Sequence, residues 1–146
     1  MIFLSTPINL ATYPTIASTP VAFGTKVRNI GRIRNGVLSN TRLYYGAQVT
    51  VRDGVQAGFP FAYWSSEIIE SGDSGGPVVK PGTHHIVAVN SGGGGGTQVL
   101  ARVDLLSSWI AQQVASQGAG AQPNQPADPC GGVTFAGQCS GNTVQW

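Results

Sequence analysis

Residues 72–77 read Gly72-Asp73-Ser74-Gly75-Gly76-Pro77, the residue types an acyl-transfer nucleophile needs. A Ser hydroxyl is a weak nucleophile until a base takes its proton. The oxyanion formed when it attacks a carbonyl needs two N–H donors already in place. A sharp turn can aim the N–H groups of Ser74 and of Gly72, two residues before it, at one point. Gly72 permits the backbone conformation this requires. Gly75 and Gly76 keep bulk away from the nucleophile, and Pro77 sets the exit into a strand. The competing reading is an ordinary Ser in a Gly-rich turn, which a chain with 21 Gly makes less absurd than usual. Six specified positions between two strand signals rarely arise by chance, and we expect a nucleophile.

Such a site also needs a base and a carboxylate to orient it. The 2 His of the chain, His84 and His85, follow Ser74 by about ten residues and read as exposed members of a turn between two strands. Asp53 reads as a turn residue in Arg52-Asp53-Gly54, and Asp104 as a helix N-cap whose carboxylate accepts from the first free backbone N–H groups. Losing the Ser or His of a catalytic triad costs on the order of a million-fold in turnover. Cys130 and Cys139 lack the four-ligand pattern of a zinc site; a local disulfide is expected, with no metal or other cofactor.

The elements that must position Ser74 read as short β-branched runs between turns. Strands are predicted at Thr25–Arg34, Thr41–Val51, Phe59–Trp64, Pro77–Val79, Ile86–Asn90 and Gln98–Val103. Arg34-Asn35-Gly36 marks a tight turn, and Arg52-Asp53-Gly54 closes the second strand. This spacing argues for a sandwich or barrel. One helix is predicted from Asp104 to a stop at Gly118, with Leu105, Leu106, Trp109, Ile110 and Val114 as a 3.6-period stripe. Residues 117–129 read as a Pro/Gly-rich linker, and 130–146 as a short Cys-containing tail, either a hairpin closed by Cys130–Cys139 or the truncated front of a further module. Of the 146 residues 41% are hydrophobic and 10% charged, for a net charge of +2; this composition excludes global disorder. Arg28, Arg32 and Arg34 alternate with Ile30 and Ile33 as the solvated face of a strand. Without interleaved aromatics they give no nucleic-acid footprint. No run is long enough to cross a membrane, and Met1-Ile2-Phe3-Leu4 is too short for a signal peptide.

On Gly72–Pro77 the sequence resembles the trypsin/chymotrypsin-like serine proteases, whose nucleophile motif is Gly-Asp-Ser-Gly-Gly-Pro. The resemblance implies an all-β fold: one Greek-key antiparallel barrel, the second of the family's two, with a C-terminal helix and a flexible tail. It spans residues 1–116. It implies Ser74 as nucleophile, with Gly72 and Ser74 giving the oxyanion N–H groups. Asp73 is the carboxylate that in many members pairs with a newly cut N-terminus, and Gly75 and Gly76 are structural. Ile86–Gly93 resembles the strand ending in Ser-x-Gly, so Ser91 and Gly93 would line substrate backbone and the primary pocket. Val99–Val103 and Asp104–Ile110 resemble the last strand and the helix that packs on the barrel. Ile68, six residues before the Ser, takes the pocket-base position and argues against cleavage after Arg or Lys. Glu70 stands where many members have a Cys, and Gly92–Gly96 reads as a flexible pocket rim.

Leu4–Leu10 resembles the stretch that follows the family's catalytic Asp. In that register the Asp lies just upstream of Met1 and the His further upstream. The chain is then expected to be an inactive fragment of a secreted, extracellular serine endopeptidase. Its partners would be a polypeptide substrate and the missing N-terminal barrel of the same protease. A lone second barrel would expose the apolar face that the first one covers, favouring association. The alternative is a non-catalytic protease-like binding module.

Overall fold

A computed structural model describes residues 3–4, 6, 8–118, 138–140 and 143–145. The chain divides into two units, Met1–Gln113 and Val114–Trp146. In the first unit the strands are β1 (Thr15–Ile16), β2 (Lys26–Gly31), β3 (Ile33–Arg34), β4 (Val37–Leu38), β5 (Tyr44–Thr50), β6 (Arg52–Asp53), β7 (Ala62–Ser66), β8 (Pro77–Val79), β9 (His85–Gly94) and β10 (Thr97–Arg102). The main sheet runs β5-β2-β8-β9-β10-β7-β6, antiparallel throughout, with β1 added parallel to β9. Its two ends, β5 and β6, are joined through the single residue Val51, which is fully buried. Val51 also pairs with the start of β2: its N–H donates to the Thr25 carbonyl and its carbonyl accepts from Gly24 N–H. One bent stretch of chain thus supplies both edges of the sheet and curls it, as expected for an all-β barrel followed by a C-terminal helix.

The inward positions follow the two-residue period of strands. On β2 they are Val27 and Asn29, on β7 Tyr63 and Ser65, on β10 Gln98 and Leu100. Since β10 runs against β7, all three strands place their apolar inward residue toward one end of the interior and their polar one toward the other. Val27, Val51, Tyr63, Val78, Val87 and Leu100 form the apolar core. Asn29, Ser65, Asn90 and Gln98 are buried at the polar end. Buried polar atoms cost stability unless they are hydrogen-bonded, and these bond to one another: Asn29 Nδ2 to Asn90 Oδ1, and Gln98 Nε2 to Asn29 Oδ1 (3.1 Å) and Ser65 Oγ (2.9 Å).

The strand expected at 25–34 is interrupted at Arg32. Asn35 (φ 52°) and Gly36 (φ 73°) then form the expected turn, between β3 and β4. Thr41–Leu43 is not part of the second strand. Arg52-Asp53-Gly54 is not a closing turn, since Arg52 and Asp53 pair with β7 and Asp53 caps a 3-10 turn by accepting Val55 N–H. Asp104 is not the helix N-cap. Residues Asp104–Leu106 form a 3-10 turn before helix α1 (Ser107–Gly118), and the Asp104 carboxylate instead takes the Arg102 guanidinium at 3.0 and 2.6 Å. A bidentate charged partner outcompetes neutral backbone N–H groups. Leu105, Leu106 and Trp109 stay exposed, so the helical stripe adds little to the buried core.

In the second unit, β11 (Gln138–Ser140) and β12 (Thr143–Gln145) pair antiparallel as a hairpin. The expected Cys130–Cys139 bridge and most of the 117–129 linker lie outside the described residues.

Candidate active site

The turn carrying Ser74 sits at the polar end of the barrel and is held on both sides. Asn90 of β9 receives Gly75 N–H on its carbonyl (2.8 Å) and gives its own N–H to the Gly76 carbonyl (2.9 Å). Its side-chain amide donates to the carbonyls of Asp73 and Ile30, each at 3.2 Å. Gly76 must be Gly because a Cβ there would lie 2.4 Å from the Ile30 carbonyl. Within the turn, Asp73 N–H donates to Glu70 O and Gly76 N–H to Asp73 O. The amides of Asp73, Gly75 and Gly76 are therefore all engaged. Those of Gly72 and Ser74 form no hydrogen bond among the described residues, and both residues are exposed. Gly72 has φ 105°, in the left-handed region that Gly enters at no steric cost.

Asp73 is the buried anchor of the turn. Its Oδ1 accepts Arg32 N–H (2.8 Å) and Ile33 N–H (2.9 Å), and its Oδ2 accepts Glu70 N–H (3.2 Å). Gly31 makes the approach possible: a Cβ on it would lie 2.4 Å from the Asp73 carboxyl carbon. Glu70 supplies a second carboxylate that ties the same region together. Its two oxygens take Asn35 N–H (2.8 Å) and Gly36 N–H (2.6 Å), the tip of the β3–β4 hairpin.

Of the residues expected to bind substrate, Ser91 and Gly93 are brought together, while the Ile68 side chain points into a different cavity. Ser91 is a β-bulge: the β9–β10 register passes from Leu100↔Asn90 to Val99↔Gly92 and leaves Ser91 unpaired. Ser91 and Gly93 line a hollow of about 380 Å³ with Phe59, Gly92, Thr97 and Val99. The Ile68 side chain lies against Gly46 and lines a separate cavity of about 350 Å³ beside Gly31, Ile33 and Asp73. Its backbone is fixed from the other side, since Gln98 Oε1 accepts both Ile68 N–H (3.1 Å) and Ile69 N–H (3.2 Å). An amide has two acceptor sites and two donors, and Gln98 uses all four.

The sequence reading missed Asn29, Ser65, Asn90 and Gln98 as supports of this region. The available signal was Val27-x-Asn29, Tyr63-x-Ser65 and Gln98-x-Leu100, a polar residue in the register of a core residue near a strand end.

Neither His reaches Ser74. Only His84 is an exposed loop residue as expected; His85 is the half-buried first residue of β9, paired with Thr15 of β1, and both stand at the far end of β9 from the Ser74 turn. Asn90 touches the Ser74 turn, and His85 lies five residues before it, about 17 Å along an extended strand. His85 Nδ1 is paired with Thr15 Oγ1 at 2.8 Å. Asp53 caps its turn and Asp104 holds Arg102, so neither is available to orient a base. Among the described residues no three His, Cys, Asp or Glu side chains gather as metal ligands.

The sequence matches no known family model and no curated protein. Solved structures do match. A scabies mite inactivated protease paralogue is 20% identical with a TM-score of 0.63, over 77% of this chain and 58% of that one. A mutant of human heparin binding protein is 25% identical with a TM-score of 0.61, over 80% and 57%. Human heparin binding protein itself gives 24%, 0.54, 86% and 57%. The chain spans well under two thirds of the length of these proteins. The fold is that of the chymotrypsin-fold serine protease homologues.

Proposed function

We propose that this chain, built on the chymotrypsin-type fold, is the nucleophile-bearing barrel of a trypsin-like serine endopeptidase, with no hydrolytic activity by itself. One observation carries the reading. In the Gly72–Gly76 turn, the two amides left without a partner are those of Gly72 and Ser74, flanking a buried Asp73 that is tied down at three points. Two fixed, unpartnered donors beside an exposed hydroxyl suit a site where negative charge develops on a carbonyl oxygen.

In this reading Ser74 Oγ bonds to the carbonyl carbon of a peptide as its proton passes to an imidazole. The C–N bond then breaks as the imidazole returns the proton to the leaving amine, and water hydrolyses the acyl-enzyme by the reverse proton path. Gly72 and Ser74 N–H hold the oxyanion. Ser91 and Gly93 receive substrate backbone and one pocket wall, and Ile68 contributes through its backbone at the pocket base. Gly75 and Gly76 keep the turn compact. The imidazole and its carboxylate belong to a companion barrel, because His84 and His85 sit at the wrong end of β9. The protein in which both barrels meet is extracellular.

A second reading, a protease-like module that binds without cutting, is favoured by the absence of a base within reach of Ser74 among the described residues and by the likeness to an inactivated protease paralogue and a heparin binding protein. A fluorophosphonate probe separates the two. Applied to the full-length gene product, it should label Ser74 if the endopeptidase reading holds, and Ser74→Ala should abolish the labelling. An intact, folded product that resists the probe supports the binding module. Labelling that survives Ser74→Ala removes Ser74 as the nucleophile.

A further inference from the structure

Gln98 lies between two neighbours in the sheet: it pairs with Gly93 on β9 and with Ser65 on β7. Residues directly opposite across antiparallel strands point to the same face. Gln98 and Ser65 are fully buried, so the inner face of Gly93 looks onto the same interior. From under Gly93 the Gln98 amide reaches the Ile68–Ile69 backbone. Glu67 lies against this same inner face of Gly93. A Cβ on Gly93 would be 2.6 Å from Glu67 Oε1, and Glu67 Oε2 takes Gly96 N–H at 3.1 Å. The hollow beside Ser91–Gly94 opens on the opposite, outer face, with Thr97 and Val99.

We propose that Gln98 and Glu67 are specificity-determining residues that fill the primary pocket from within. The cleft then accepts a polypeptide only where the residue before the scissile bond has a side chain no larger than that of Ala. This rests on reading Ser91–Gly93 and the Ile68 backbone as the walls of that pocket. Gln98 cannot rotate aside to admit a larger group, because all four of its hydrogen-bonding positions are used inside the barrel. Glu67 is the softer half of the plug: it is partly exposed, and it grips a rim whose Gly95 and Gly96 have positive φ.

The test uses indole as a probe of an apolar pocket, followed by amide chemical shifts of Gly93, Gly96, Ile68 and Ile69. The wild-type chain should show no saturable shift at these residues. Glu67→Ala, or Gln98→Gly where it folds, should bind with a dissociation constant of about a millimolar, the range open to a fragment of this size. Saturable binding of indole to the wild type at Gly93 and Ile68 would overturn the proposal, as would failure of folded Glu67→Ala and Gln98→Gly both to bind. A stability readout guards against misfolding. Gly93→Ala should lower the melting temperature in the wild-type background, and the drop should fall to less than about half when Glu67 is also Ala. An equal drop in both backgrounds would show that Glu67 does not cover Gly93. Ser74 labelling is independent of these results: an opened pocket with an unlabelled Ser74 keeps the plug and discards the endopeptidase.

Discussion

Asp73→Asn isolates what the buried carboxylate contributes to the Ser74 turn, because it keeps the shape and removes the charge. The carbonyl of an Asn can replace Oδ1 and keep the Arg32 and Ile33 N–H groups, now at 2.8 and 2.9 Å. Its NH2 must then face Glu70 N–H, donor against donor, where Oδ2 accepted before. Hydrogen bonds to a charged acceptor contribute about 1.5–3 kcal/mol net, against about 0.5–1.5 for neutral pairs. The two retained bonds together therefore weaken by about 2 kcal/mol. The third is lost, at about 1 kcal/mol more, since Glu70 is only partly buried and its N–H regains some water. In the other direction, an amide costs less to bury than a carboxylate and returns about 1 kcal/mol. The net loss is about 2 kcal/mol. Urea unfolding followed by Trp fluorescence should show this as a midpoint lowered by about 1 M at unchanged slope, for a slope of about 2 kcal/mol/M. A midpoint shifted by less than about 0.25 M, or raised, would refute the claim that the carboxylate holds the turn through charge-assisted bonds.

Three further outcomes follow from the same geometry. Gly31→Ala, which puts a Cβ into the Asp73 carboxylate, should destabilise by at least as much as Asp73→Asn, about 2–4 kcal/mol in urea unfolding. Burial pushes the Tyr63 hydroxyl above its ordinary value of 10.0. The unfolded state therefore ionises first as pH rises, so Tyr63 should leave stability level below about pH 10 and cause it to fall above that. Tyr63→Phe should remove this alkaline component and cost about 1–2 kcal/mol at neutral pH, because the buried Val21 N–H loses the partner it has at 2.9 Å. Asp104→Ala should cost about 1–3 kcal/mol by thermal unfolding, since it leaves Arg102 without its bidentate partner; Asp104→Asn should recover part of that loss.

Gly72–Pro77 and the all-β class were legible in the sequence because both are local. The motif needs each residue for its own backbone or side-chain property, and the strands announce themselves through β-branched runs and turn residues such as Asn35-Gly36. The failure of His84 and His85 to serve Ser74 was legible too, although His85 opens β9 instead of lying in the turn: both stand at the start of that strand, and a strand carries its two ends apart by a length that counting residues supplies. The role of Asp104 was not legible. An Asp before a helix satisfies the N-cap rule, and only the folded chain shows Arg102 reaching it first.

The support of the site was decided by tertiary structure alone. Asn29, Ser65, Asn90 and Gln98 come from four strands, and no window of sequence contains them. Each alone is a polar residue in a strand; curling of the sheet puts them in one buried end, where the cost of an unpaired polar atom forces them to bond to one another. Asp73 shows the same division. Its identity is part of a six-residue signature, while its partners, the amides of Arg32 and Ile33, lie about forty residues away and meet it only because Gly31 leaves room.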